Sequence, residues 1–207
     1  MATARPKDAY AARLLERQDA LQSEANRLID RLDLPGMLSR AGRFEQLGSS
    51  VSGLMVWRDL DLGASCGRLS PEQAWETMLP LAAHPRTTRL DYCNETGQLT
   101  PPELQGYGRY YFVAHHETNR GDEWKIDVSL WSPEAPPGPL AHAEDLRMRL
   151  TPETRIAILW IKDVWHRVPS YPDQVSGMDI YDAVLEHGVR TPEQFGRYLR
   201  QRSLPTA

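Results

Sequence analysis

Between Asp59 and Cys66 the chain reads DLDLGASC, with polar and apolar residues in strict alternation. Successive side chains of an extended chain point to opposite faces. Asp59, Asp61, Gly63 and Ser65 therefore share one face, and Leu60, Leu62, Ala64 and Cys66 the other. A helix would scatter these leucines around its circumference; a strand gathers them. The segment predicts a strand whose apolar face other elements must cover. Its polar face carries two carboxylates side by side, which repel unless they point into water or hold a cation between them. Just upstream, Gly48-Ser49-Ser50 is a turn of small residues. Taken alone it is an ordinary turn with a helix N-cap.

The rest of the chain supplies the partners such a strand needs. From Asp8 to about Arg40, Leu14, Leu15, Leu21, Leu28, Ile29 and Leu32 recur at helical steps, and Leu34-Pro35-Gly36 breaks the pattern. Arg43 to Leu47 reads as a short strand. Ser70-Pro71 with Gln73 is a capping box opening a helix. Arg86 to Cys93, Gly106 to Glu117 and Trp124 to Trp131 are three further strands rich in aromatic and β-branched residues, the last two joined by the turn-like TNRGDE. TPPELQG is a loop, and SPEAPPGPL (Ser132 to Leu140) is a stiff connector whose prolines forbid a helix. Beyond it, Thr151-Pro152 starts a helix with Ile156, Trp160 and Val164 on one side. A shorter helix ends near Gly188, and Thr191-Pro192-Glu193-Gln194 caps the last. No internal repeats stand out. The expected fold class is α+β: a small mixed β-sheet with helices, followed by a C-terminal helical segment. The domain reading is an N-terminal helix packing on the core (1–40), a core (41–135) and a C-terminal helical region (140–207).

Composition narrows the function classes. A net charge of −4 argues against a binder that works by neutralising nucleic-acid phosphates. No apolar run approaches the roughly 20 residues that cross a bilayer. The first residues lack a signal-peptide hydrophobic core, so a cytoplasmic protein with no membrane partner is expected. Cys66 and Cys93 form no zinc-type cluster and read as buried small hydrophobes. The tryptophans at 57, 75, 124, 131, 160 and 165 read mainly as core. His115-His116-Glu117 resembles the start of a metalloprotease motif, but no second histidine follows four positions after His116; these are strand-end polar residues. GYGRYY lacks the third glycine of a dinucleotide fingerprint, and there is no Walker A lysine.

Downstream, WKIDVSLW repeats the alternation. Trp124, Ile126, Val128 and Leu130 face one way, and Lys125, Asp127, Ser129 and Trp131 the other. If this strand lies beside Asp59–Cys66, Asp127 joins the polar face of the pair. Three converging carboxylates suit a hard divalent cation, and Mg²⁺ prefers carboxylate, water and phosphate oxygens. Backbone N–H groups at a turn entering a helix, as at Gly48-Ser49-Ser50, suit a phosphate anion. Singly the parts are weak: the aspartate pair alone fits a solvated strand face, and Asp127 alone a structural acid. Lys125 and Ser129 read as surface residues that could reach phosphate or acceptor. Lys162 is a minor candidate for phosphate neutralisation on a helix expected to face water.

Gly48-Ser49, nine residues, then Asp59-Leu60-Asp61-Leu62, with Asp127 in a later strand, resembles the nucleotidyltransferase superfamily, the DNA polymerase beta-like fold. The similarity is greatest to single-chain enzymes that adenylylate aminoglycosides or lincosamides, and its motifs lie between Arg43 and Trp131. The resemblance implies that Gly48 and Ser49 bind nucleotide phosphates, that Asp59 and Asp61 ligate Mg²⁺, and that Asp127 is a metal ligand, the general base, or both. Many members carry a basic residue in the helix after the turn; here Ser50-Val51-Ser52 follows, and Arg58 is the only nearby cation. The implied function is a Mg²⁺-dependent nucleotidyltransferase moving a nucleoside monophosphate, AMP from ATP, onto an acceptor hydroxyl. A small-molecule acceptor is expected, with nucleic acid disfavoured by the acidic chain. The alternatives are an AMP-transferring toxin–antitoxin enzyme acting on protein and a catalytically silent nucleotide-binding or interaction module of the same fold.

Overall fold

The computed structural model describes residues 6–104, 107–132, 139–172 and 174–206. The chain runs α1 (Asp8–Arg31), α2 (Leu34–Leu38), β1 (Gly42–Gln46), α3 (Gly48–Ser52), β2 (Asp59–Cys66), α4 (Pro71–Ala82), β3 (Thr87–Glu95), β4 (Gly108–Glu117), β5 (Glu123–Ser132), α5 (Pro139–Arg149), α6 (Pro152–Trp165), α7 (Gly177–Leu185) and α8 (Pro192–Gln201). The alternating segment is β2, with the bounds its period predicts. The strands form one five-stranded mixed sheet in the order β1-β2-β5-β4-β3. β2 and β5 run parallel, and the other neighbours are antiparallel. A parallel pair needs a long crossover, and α4, β3 and β4 occupy it. The fold is α+β, as the sequence predicts.

The apolar face of the sheet is closed. Leu60, Leu62 and Ala64 of β2, Trp124, Ile126, Val128 and Leu130 of β5, and Phe112 and Ala114 of β4 are all buried. These residues occupy alternate positions on paired strands, so parity and register together make one continuous apolar layer. The chain divides into two compact units. One comprises Gln22–Gly53 and Arg58–Arg147 and holds the whole sheet. The other comprises Met1–Leu21, Leu54–Trp57 and Met148–Ala207, with α6, α7 and α8. None of the described helices is long and apolar enough to cross a membrane.

Helix starts follow local chemistry. Ser70 and Gln73 make the predicted capping box of α4, and Thr151 with Thr154 and Ser176 with Asp179 do the same for α6 and α7. The Thr191 side chain accepts from the Gln194 backbone at α8. Each such cap contributes about 1 kcal/mol.

Several expectations need correction. The first helix stops at Arg31, not near Arg40, because Asp33 adopts a left-handed conformation (φ 47°) and turns the chain. Pro35 then sits in the first turn of α2, where its missing N–H costs nothing, so Leu34-Pro35-Gly36 belongs to a new helix as well as ending the old one. On α6 the predicted stripe turns inward only in part: Ile156 is buried, Trp160 half-buried and Val164 41% exposed, while the helix also buries Ala157, Ile158, Leu159, Ile161 and Trp165. Four-residue spacing alone does not say which stripe meets a neighbour. Cys66 is buried, and burial pushes its thiol up to about 11, but Cys93 is exposed on β3. Trp75 is 40% exposed, set edge-on against Phe112, whereas Trp124, Trp131 and Trp165 are core. Lys162 does not face water. It is buried, and its Nζ donates to the Leu54 carbonyl (2.9 Å) and to the Tyr181 hydroxyl (3.2 Å). In the loop before β4, short 3-10 turns occur at Gly97–Leu99 and Pro102–Leu104, while Gln105 and Gly106 lie outside the described residues. Most of the predicted connector, residues 133–138, also lies outside them; its last two residues, Pro139 and Leu140, open α5.

Candidate active site

Strand parity places Asp59 and Asp61 together on β2, and the parallel register brings β5 alongside. Asp59 pairs with Lys125 and Asp61 with Asp127, residue for residue. One carboxylate oxygen from each of Asp59, Asp61 and Asp127 lies within 4.8 Å of the others. The structure therefore brings together the three aspartates that the sequence singles out.

A cation stands among them. Lys125 Nζ donates to Asp59 Oδ1 at 3.4 Å and to Asp127 Oδ2 at closer range. Burial pulls the Lys125 ammonium down, but the charges of Asp59, Asp127 and Asp61 outweigh it and hold its pKa above the ordinary lysine value. The other Asp127 oxygen, Oδ1, accepts from the Tyr111 hydroxyl at 2.8 Å. Tyr111 comes from β4, where it pairs with Ser129 and so sits diagonally from Asp127 on the same face. Burial, then the Asp127 charge and its hydrogen bond, raise the Tyr111 phenol well above its usual range, so it is a donor at any physiological pH. Beside it the Arg109 guanidinium is held by Glu95 (2.5 Å) and Ser129 (3.0 Å). It lies over the rings of Tyr111 (4.3 Å) and Trp131 (5.2 Å). These residues make a rigid, charged wall along β4 and β5 next to Asp127.

The turn before β2 is fastened to the same place. The Leu47 N–H donates to the Asp61 carbonyl at 2.9 Å, which sets Gly48 over the aspartates. Gly48 has φ 63°, and a Cβ built there would collide with the Asp61 carboxylate, so both conformation and space require glycine. Ser49 is nearly buried, at 8% exposure. It is not a cap: the N-cap position of α3 is Leu47, which makes no side-chain cap bond. The Ser50 hydroxyl instead donates to the Leu47 carbonyl (3.0 Å) and accepts from Gln46 (2.9 Å), tying the turn to itself.

Two expectations about nearby charge change. Arg58, read as the only nearby cation, pairs with Glu24 (2.9 Å) and Asp122 (3.0 Å). Its position, one residue before Asp59, points it to the opposite face. Lys125 and Ser129 are not surface residues: Lys125 spans two aspartates, and Ser129 is buried against Arg109. The signal for Lys125 was present in its shared parity with Asp127. Tyr111 and Arg109 had none, because their place depends on the β4–β5 register.

The donor set fits a hard divalent ion. It is all oxygen, half-buried at Asp59 and Asp61 and buried at Asp127, and it draws a positive charge to its centre, a role Lys125 fills. No family model and no curated protein sequence matches the chain. Solved structures do match. A mutant of the Cid1 poly(U) polymerase bound to MgATP superposes with a TM-score of 0.60 at 15% identity, over 87% of this chain and 56% of that one. The chain has the nucleotidyltransferase fold. A cytoplasmic RNA terminal U-transferase gives 0.56 at 14% identity, over 86% and 54%. CdnC of E. coli MS115-1 with ATP gives 0.50 at 12%, over 91% and 70%. This nucleotidyltransferase fold thus spans about half the length of the first two neighbours.

Proposed function

We propose that the chain is a Mg²⁺-dependent nucleotidyltransferase. The observation that carries this is the convergence of Asp59, Asp61 and Asp127 across a parallel strand pair, under a glycine turn that leaves room for nothing larger. Asp59 and Asp61 would hold Mg²⁺, with Asp127 as a further ligand, the general base, or both. When bound, Mg²⁺ supplies charge stabilisation to the attacking and leaving oxygens around the α-phosphorus. Gly48 and Ser49 present backbone N–H groups and a hydroxyl to the triphosphate, with ATP the expected nucleotide. The acceptor oxygen bonds to the α-phosphorus as its proton passes to Asp127. The bond to the β-phosphate oxygen breaks, and pyrophosphate leaves. Tyr111, donating to Asp127 Oδ1, keeps that carboxylate aimed across the sheet.

The acceptor is a hydroxyl compound. The adenylyltransferase-like spacing of Gly48-Ser49 and Asp59/Asp61 supports a small molecule. The RNA terminal U-transferase among the neighbours supports a polynucleotide end as the second reading. Incubation of the protein with α-labelled nucleoside triphosphates in cell extract separates them by where label appears: small molecule, nucleic acid or protein. Asp61→Asn should lose Mg²⁺-dependent pyrophosphate release altogether. Wild-type release from that variant would sink the assignment and return the aspartates to structural charge.

A further inference from the structure

Arg58 and Trp124 are the sequence neighbours of Asp59 and Lys125, and alternation puts them on the opposite face of the sheet. There the last turns of α1 and the β4–β5 turn enclose a recess of about 270 Å³ with Trp124 in its wall. Four arginines line it, Arg27, Arg31, Arg58 and Arg120, against two carboxylates, Glu24 and Asp122, in a chain whose net charge is −4.

Both carboxylates are already engaged. Glu24 Oε1 accepts from Arg58 Nε and Trp124 Nε1, each at 2.9 Å, and Asp122 pairs with Arg58 at 3.0 Å. Arg27, Arg31 and Arg120 make no ion pair within 4 Å among the described residues, although Arg27 stands near enough to Glu24 to help hold its carboxyl below the ordinary value. Arg27 and Arg31 stand four apart on one helix, where like charges repel. The field of Arg31 reaches the interior. His116, buried nearby, is pushed down to about 4, first by burial and then by His84, Arg86 and Arg31. Four guanidinium groups against two carboxylates leave positive charge in excess around a concave space, and guanidinium forks bind phosphate oxygens two at a time. Trp124 is fully buried, so no exposed ring is available for a base to stack on. The recess, at about 270 Å³, has the size of a small ligand.

From this we infer that the recess is a second anion site, for an oligophosphate held by Arg27, Arg31 and Arg120 without a metal ion. The ligand is free pyrophosphate or the polyphosphate tail of a nucleotide. The inference is independent of the transferase reading, because it uses none of the carboxylates.

The test is calorimetric titration and thermal shift of the full chain in EDTA with pyrophosphate, ATP and, at matched ionic strength, sulfate. Pyrophosphate should bind and raise the melting temperature. Arg31→Gln and Arg120→Gln, both at exposed positions, should keep the fold and each weaken binding at least about tenfold. Asp61→Asn should bind as wild type does, even if it has lost all transfer. ATP matching pyrophosphate identifies a nucleotide tail, and pyrophosphate alone identifies the free diphosphate; either result supports the site. No binding at millimolar pyrophosphate, equal binding of sulfate, binding untouched by both arginine changes, or loss in Asp61→Asn would each overturn it. So would tighter metal-free binding of a single-stranded oligonucleotide than of pyrophosphate.

Discussion

Replacing Lys125 by methionine keeps most of the side-chain volume and removes the charge that bridges Asp59 and Asp127 beside Asp61. Its side chain is 26% exposed, and those of Asp59 and Asp127 are 18% and 10% exposed, so the group is screened more weakly than a surface pair. At an effective dielectric near 20, an ammonium 3.4 Å from Asp59 attracts it by about 5 kcal/mol. Two carboxylate oxygens within 4.8 Å of each other repel by at least about 3.5 kcal/mol on the same scale. These are gross terms, offset by hydration and by proton uptake. Removing one partner of such a buried pair costs about 3–5 kcal/mol net. For a chain of 207 residues that corresponds to a fall in melting temperature of roughly 6–20 °C. Mg²⁺ should then rescue the variant. In the wild type an incoming ion competes with the ammonium, so the Mg²⁺-induced rise in melting temperature should be larger for Lys125→Met than for wild type. Differential scanning calorimetry at neutral pH, in EDTA and in millimolar MgCl₂, measures both quantities. Equal stability of the two proteins in EDTA, or equal Mg²⁺ increments, would refute the idea that Lys125 occupies the place of a cation.

Gly48→Ala should cost about 1–2 kcal/mol for the left-handed backbone alone, and more from the collision with Asp61, read as a lower melting temperature with transfer reduced in parallel. Ser49→Ala should leave the melting temperature within about 1 °C, since Leu47 and not Ser49 occupies the N-cap position, while nucleotide affinity measured by titration falls; unchanged affinity would remove Ser49 from the site. His116 is held near 4 against an ordinary value of 6.5, so the folded state binds its proton less readily than the unfolded chain. Its contribution is complete above about pH 6.5 and is lost as pH falls toward 4, an effect on the order of 3 kcal/mol. Chemical denaturation across that range should show the slope in wild type and a flatter one in His116→Gln.

What was legible in the sequence was what depends on near neighbours along the chain. The two-residue period of a strand is local, so the shared face of Asp59 and Asp61, and that of Lys125 and Asp127, follow from the order of residues alone. Caps are local too: Ser70 reaches Gln73 and Thr151 reaches Thr154 within one turn, whatever the rest of the chain does. Register between strands is not local. That β5 lies parallel to β2 with Asp127 opposite Asp61, and that β4 then delivers Tyr111 and Arg109 to the same wall, is decided by the packing of one shared apolar layer. The same holds for the stripe of α6 that turns inward, where Val164 and Ile161 have equal claims by composition and only the neighbour's shape chooses. Charge follows suit. Lys125 and Arg58 are both cations within a few residues of an aspartate in sequence or space, yet one enters the acidic cluster and the other leaves for Glu24. A side chain's face is set by its own strand, but its partners are set by the strands beside it, which the chain acquires only when distant segments bury their apolar faces together.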